Sequence, residues 1–122
     1  MATILIRARF REESMRNMKD ANWALEREEN NRRLCEAIGC RFISFFLSLG
    51  TGEGVVMIEG AAEAAALART IYHRSGAFST VEVDILHSAR ELKTIFEKAD
   101  DKRSSKKPTI LRSFTFRQPA RD

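Results

Sequence analysis

The sequence predicts an α+β domain built on an antiparallel sheet, and three observations carry that reading. Two apolar runs, Phe42 to Leu49 and Val55 to Ile58, flank the stretch Gly50-Thr51-Gly52-Glu53-Gly54, which reads as a hairpin with a glycine-rich turn. Thr3 to Phe10 and Thr80 to His87 alternate apolar and polar residues with the two-residue period of a strand covered on one side. Between the strands lie stretches of helical spacing, closed by Gly39 in one case and by Gly76 in the other.

In the first strand Ile4, Ile6, Ala8 and Phe10 share the inward face, and Thr3, Leu5, Arg7 and Arg9 the outward one. A helical pattern follows Arg11, with Met15 and Met18, a break near Asp20-Ala21-Asn22, and then a longer helix carrying Leu34, Cys35 and Ile38. Its middle, Glu26 to Arg33, is almost wholly polar, so side-chain pairs and anchors at both ends must hold it. This segment is expected to face solvent or another subunit. In the second strand the better core face is Ile43, Phe45, Leu47 and Leu49, which turns Phe42, Ser44, Phe46 and Ser48 outward. In the third, Val56 and Ile58 point inward and Val55, Met57 and Glu59 outward.

Gly60 then opens an alanine-rich helix in which Ala64, Leu67, Ala68 and Ile71 recur at core spacing. The fourth strand turns Val81, Val83 and Ile85 inward and Glu82, Asp84 and Leu86 outward. Ser88-Ala89-Arg90-Glu91 has the form of a capping box, and Leu92, Ile95, Phe96 and Ala99 continue it as a short amphipathic helix expected to dock on the body. The expected domain is 2–100. A basic tail, 101–122, follows, with Lys102 to Pro108 as a linker and 109–117 as a possible added strand.

A chain of 122 residues, 43% hydrophobic and 31% charged, can bury its own core and needs no crosslinks. Its two cysteines, Cys35 and Cys40, are expected to be reduced, Cys35 at a core position and Cys40 more accessible. With His73 and His87 far apart in sequence, no metal-ligand spacing appears, and no metal or cofactor is expected. Both histidines read as structural, without a nucleophile or carboxylate at catalytic spacing. No apolar run approaches the ~20 residues of a membrane helix, and no signal-peptide pattern opens the chain, so no membrane partner and a cytoplasmic location are expected. The net charge of +4 is uneven. Met1 to Ala99 carries 14 Lys and Arg against 14 Asp and Glu, and Asp100 to Asp122 carries seven against three. The body is neutral and the tail basic, so no nucleic-acid partner is expected for the domain itself.

The order strand, helix, strand, strand, helix, strand is the split βαβ of the ferredoxin-like fold, with helices on one face. The first strand then lies between the third and fourth, which sets Arg7 and Arg9 beside Glu82 and Asp84. The other half of that face, Phe42, Phe46, Val55 and Met57, is too apolar to leave bare.

The amphipathic first strand, Arg16-Asn17-Met18-Lys19-Asp20, the helix ending at Gly39, Ser44 to Gly50 and Val55 to Glu59 together resemble the GYD domain family over about Ala2 to Ala99. The resemblance implies membership of the dimeric α+β barrel group, in which two ferredoxin-like sheets face each other across a subunit interface. Where that family places its Tyr-Asp pair in the hairpin loop, this chain has Gly52 and Glu53, keeping the acid and losing the phenol.

Function follows from these readings. Gly50 and Gly52 serve turn geometry, because a phosphate loop would lead into a helix and here a strand follows. Glu53 reads as a solvated loop carboxylate. Arg7, Arg9, Phe42, Phe46, Val55, Met57, Glu82 and Asp84 form a face that suits a homodimer or higher homo-oligomer acting as a binding or assembly module. The same face could line a pocket for a small organic ligand, as in a cofactor-independent oxygenase or isomerase. A third expectation is nucleic-acid contact through the tail, where Phe114 and Phe116 fit a strand better than a stacking platform.

Overall fold

The computed structural model describes the backbone of residues 1–105, and side chains through Lys102 apart from that of Asn17. Strands β1 (Ala2–Phe10), β2 (Arg41–Ser48), β3 (Glu53–Gly60) and β4 (Phe78–Leu86) form one antiparallel sheet in the order β2-β3-β1-β4. This is the ferredoxin-like arrangement, with β1 between β3 and β4. Helix α1 (Glu12–Met15) runs into a 3-10 turn (Arg16–Lys19), then come α2 (Trp23–Ala37), α3 (Ala64–Arg74) and α4 (Ala89–Ser105). Met1–Leu86 form one compact unit and a second begins at His87. The strand expected at 109–117 lies outside the described residues.

Within the first unit, α2 and α3 cover one face of the sheet. Ile4, Ile6 and Ala8 of β1 meet Val56 and Ile58 of β3, Cys35 of α2, and Ala64, Ala68 and Tyr72 of α3. Ile4, Ile6 and Ile58 are fully buried, each contributing roughly 1.5–3 kcal/mol of transfer free energy.

The polar helix α2 is held at its ends. Trp23 is buried in its first turn, its ring 5.3 Å from that of Phe10. At the other end the Gly39 N–H donates to the Glu36 carbonyl and the Cys40 N–H to the Cys35 carbonyl, a Schellman closure with Gly39 at φ 78°. Between these anchors Glu29 pairs with Arg32 and Arg33 on the exposed side.

Two readings of side-chain phase and one of an element boundary are corrected. The register of β2 shifts between Phe42 and Ser44, so Ile43 has no partner in β3. This bulge reverses the alternation at the start of the strand. Phe42 therefore pairs opposite Ile58 and packs on the core beneath the Arg32 guanidinium, 4.5 Å from its ring centre, instead of facing outward. Ile43 is exposed, and Leu49 belongs to the turn. In α3 the buried stripe is Ala64, Ala68 and Tyr72, at strict four-residue spacing, while Leu67 is 48% exposed. The alanines bring the helix close to the sheet, and Tyr72 fills the space beyond them. Gly60 is the last residue of β3, not the first of a helix.

The capping box forms as read: the Glu91 N–H donates to Ser88 Oγ at 3.0 Å, and the Ser88 N–H to Glu91 Oε1 at 2.8 Å. From this cap α4 runs through Asp100 to Ser105, so Lys102 to Ser105 are helical where composition suggests a linker.

Candidate functional site

Pairing registers assemble the sheet face turned away from α2 and α3 into rows. One row reads Phe46, Val55, Arg7, Glu82 across β2, β3, β1 and β4. The next reads Ser44, Met57, Leu5, Asp84, and is flanked by Arg41, Glu59, Thr3, Leu86. On the other side lies Ser48, Glu53, Arg9, Thr80. The structure thus brings together Arg7, Arg9, Phe46, Val55, Met57, Glu82 and Asp84, and removes Phe42 to the opposite face. Three more residues join it: Leu5 and Glu59, which the strand alternation already turns outward, and Arg41, to which the sequence assigns no face.

The face is divided by chemistry. The middle of its β2-β3 side is apolar, made by Phe46, Val55 and Met57, with Phe46 67% exposed. Its β1-β4 side is ionic. Arg7 Nη2 lies 2.9 Å from Glu82 Oε1, both side chains well exposed, and at the β2 edge Arg41 donates to Glu59 Oε1 through Nε at 3.0 Å and Nη2 at 2.6 Å. Arg9 and Asp84 form no ion pair among the described residues. Exposed pairs of this kind contribute about 0–1 kcal/mol, so they do not explain the fold. They set the charge pattern of a surface.

The hairpin loop is a turn in the plain geometric sense. The Gly52 N–H donates to the Ser48 carbonyl at 2.8 Å, with Gly52 at φ 71°, a left-handed position that glycine takes at least cost. The Thr51 hydroxyl donates to Glu53 Oε1 at 3.2 Å, and the Phe10 N–H ties β1 to the Gly52 carbonyl at 2.9 Å. Gly52 leads directly into β3. Glu53 stands opposite Arg9 in register.

Comparison with family models, with curated proteins and with solved structures gave no match.

Among the described residues no group of three or more His, Cys, Asp and Glu is placed to hold a metal ion, and no helix is long and apolar enough to cross a membrane. His73 is exposed in the last turn of α3, and His87 Nδ1 lies 3.9 Å from Glu91 Oε1. Both cysteines are free and buried, Cys40 as well as Cys35, because Cys40 packs against the glycine that ends β3.

Burial, with the neighbouring Cys40 and Glu36 adding and Arg32 opposing, pushes the Cys35 thiol up to about 11. Burial likewise raises Cys40, and burial together with Cys35 raises the Tyr72 phenol. The unfolded chain ionises these groups from about pH 8.5 upward while the folded chain keeps their protons. Above that pH the unfolded state binds fewer protons, so unfolding becomes easier as pH rises. The stabilising contribution is complete below about pH 8.5 and is lost on the way to pH 11 and above. Thermal unfolding followed from pH 8 to 11 should show the midpoint falling, and a Cys35→Ala, Tyr72→Phe double variant should flatten that fall. An undiminished slope in the double variant would refute the assignment.

A concave region lies on the helix side, between α2 and α3 where β1 ends and β4 begins, with a volume of about 240 Å³. Sequence reading missed it. Its signal was present as a four-residue repeat along α2, Trp23, Arg27 and Asn31, the last two inside the run that composition marks as solvent-facing.

Proposed function

We propose that this chain is a homo-oligomeric binding or assembly module of the cytoplasm, related to the GYD domain family, whose subunits meet through the sheet face of Phe46, Val55, Met57, Leu5, Arg7, Arg9, Glu82 and Asp84. One observation carries the reading: the registers place an apolar patch of Phe46, Val55, Met57 and Leu5 directly beside residues of both signs of charge. A twofold interface must complement itself, and a face with cations and anions interleaved beside an apolar patch meets that condition. The partner it fits is a second copy.

Area decides how strong the contact can be. Four strands at a ~4.8 Å spacing and about 25 Å long offer a face from which stacking buries on the order of 1,000 Å² in total. That is the lower end for specific complexes, so the apolar patch must supply most of the affinity and the ion pairs the orientation.

Light scattering and sedimentation equilibrium at micromolar concentration are expected to give a mass of at least twice 13.9 kDa. Phe46→Asp, placing a charge in the apolar patch, should raise the dissociation constant at least ~30-fold without lowering thermal stability of the monomer, because the ring is exposed there. A wild-type chain of monomeric mass under these conditions overturns the proposal.

A further inference from the structure

The cleft between α2 and α3 has an apolar floor and one unmatched cation. Phe10, Phe78 and Tyr72 pack in sequence, ring centres 5.0 and 5.5 Å apart, and Leu34 and Ile71 close the sides. At the rim stands Arg27. Its Nε is buried and has no hydrogen-bond partner, and its guanidinium lies 5.8 Å from the centre of the Trp23 ring. The ion pairs of α2 go elsewhere, from Glu29 to Arg32 and Arg33.

Most other polar groups around the cleft are committed within the protein; the exceptions are the Asn30 amide on its lining and the buried Trp23 Nε1–H beside Arg27. The Tyr72 hydroxyl donates to Asn31 Oδ1, and Asn31 Nδ2 donates to the Arg27 carbonyl at 2.7 Å, fixing the turn of α2 that carries the arginine. The Ser75 hydroxyl donates to the Tyr72 carbonyl at 2.8 Å, and that of Ser14 to the Ala77 carbonyl at 3.2 Å. What remains for a ligand is the Arg27 fork at the mouth, the Asn30 amide on the same helix, and aromatic and aliphatic surface beneath them. A buried donor without an acceptor costs roughly 1–3 kcal/mol, more when it is charged, and an anion would relieve that cost.

We propose that this cleft is a binding site for a small monocarboxylate with an apolar body, its carboxylate on Arg27 and its aromatic or branched aliphatic portion against Phe10, Leu34 and Phe78. The volume is slightly below the usual range for drug-sized ligands, which limits the occupant to about one ring or a short branched chain. Neutral molecules of the same shape lack the charge that answers Arg27. The site lies on the helix side of the sheet and does not depend on association through the other face.

Trp23 is the single tryptophan of the chain and sits beneath the same guanidinium, which makes it a direct reporter. The full-length protein is titrated with benzoate, phenylacetate and isovalerate, and with benzamide as the neutral counterpart of benzoate, while tryptophan emission and heat are recorded. Saturable binding of at least one carboxylate, at least tenfold tighter than benzamide, is the expected result. Arg27→Gln should weaken it at least tenfold, and Arg7→Gln on the opposite sheet face should leave it unchanged. If Arg27→Gln does not fold, the comparison of benzoate with benzamide on the wild-type chain still decides the matter. No saturable response to any of the three carboxylates up to on the order of 10 mM, equal affinity for the amide, or full affinity in a folded Arg27→Gln variant overturns the proposal.

Discussion

Tyr72→Ala is expected to destabilise the unit Met1–Leu86 by about 3–5 kcal/mol, as for other large aromatic side chains removed from a core. Tyr72 is only 6% exposed, continues the stripe of Ala64 and Ala68, and touches the Phe78 ring. No neighbour can follow it inward, because the alanines before it have no reach. Tyr72→Phe separates the hydroxyl from the ring. It keeps the packing and leaves Asn31 Oδ1 without its donor, at a cost of about 1–3 kcal/mol. For a unit of this size each kcal/mol moves the melting temperature by about 4–8 °C, so the two variants separate clearly in a thermal scan. A loss under about 1 kcal/mol for the alanine variant would mean that the ring is not part of the supporting core.

Gly60→Ala is the second large effect, through crowding instead of a void. A Cβ at this position would overlap Cys40 Sγ and lie 3.3 Å from Cys40 Cβ. Both residues are buried where β3 ends and the chain enters β2, so the sulfur has little room to turn away. Overpacking of this kind costs about 1–3 kcal/mol. The cause is testable in a double-mutant cycle measured by urea unfolding. In a Cys40→Ala background the clash with sulfur is gone, and the Gly60→Ala penalty should shrink by about 1 kcal/mol. An equal penalty in both backgrounds would place the cost in the backbone instead.

The element order, the strand order and the capping box at Ser88 were legible in the sequence, because each rests on local chemistry: two-residue alternation, glycine stops, a serine three residues before a glutamate. Phase within β2 was not. One unpaired residue at Ile43 reverses the alternation, and nothing in Arg41-Phe42-Ile43-Ser44 distinguishes a bulge from a regular strand when every candidate for the inward position is apolar. Tyr72 was hidden for a related reason: a stripe of small residues conceals which larger side chain ends it, and Leu67 looked equally suitable. The β1-β4 side of the sheet face was readable because Arg7 and Glu82 need only strand order to meet. The cleft at Arg27 was not readable at all from polarity, since a charged residue over a tryptophan is polar in sequence and half-buried in space.

The bulge in β2 also bears on how copies of this chain can grow into larger assemblies. β2 is an edge strand, and an edge with an unbroken row of free N–H and C=O groups invites another strand to add, and another after it. The misregister at Ile43 interrupts that row and twists the strand locally, and Arg41 places a charge beside the interruption. Strand-by-strand extension from this edge is thereby disfavoured, whereas the stacking of two faces is untouched by it. If copies associate through the stacked faces as proposed, the extra residue near the start of β2 favours that contact over strand-by-strand extension from this edge.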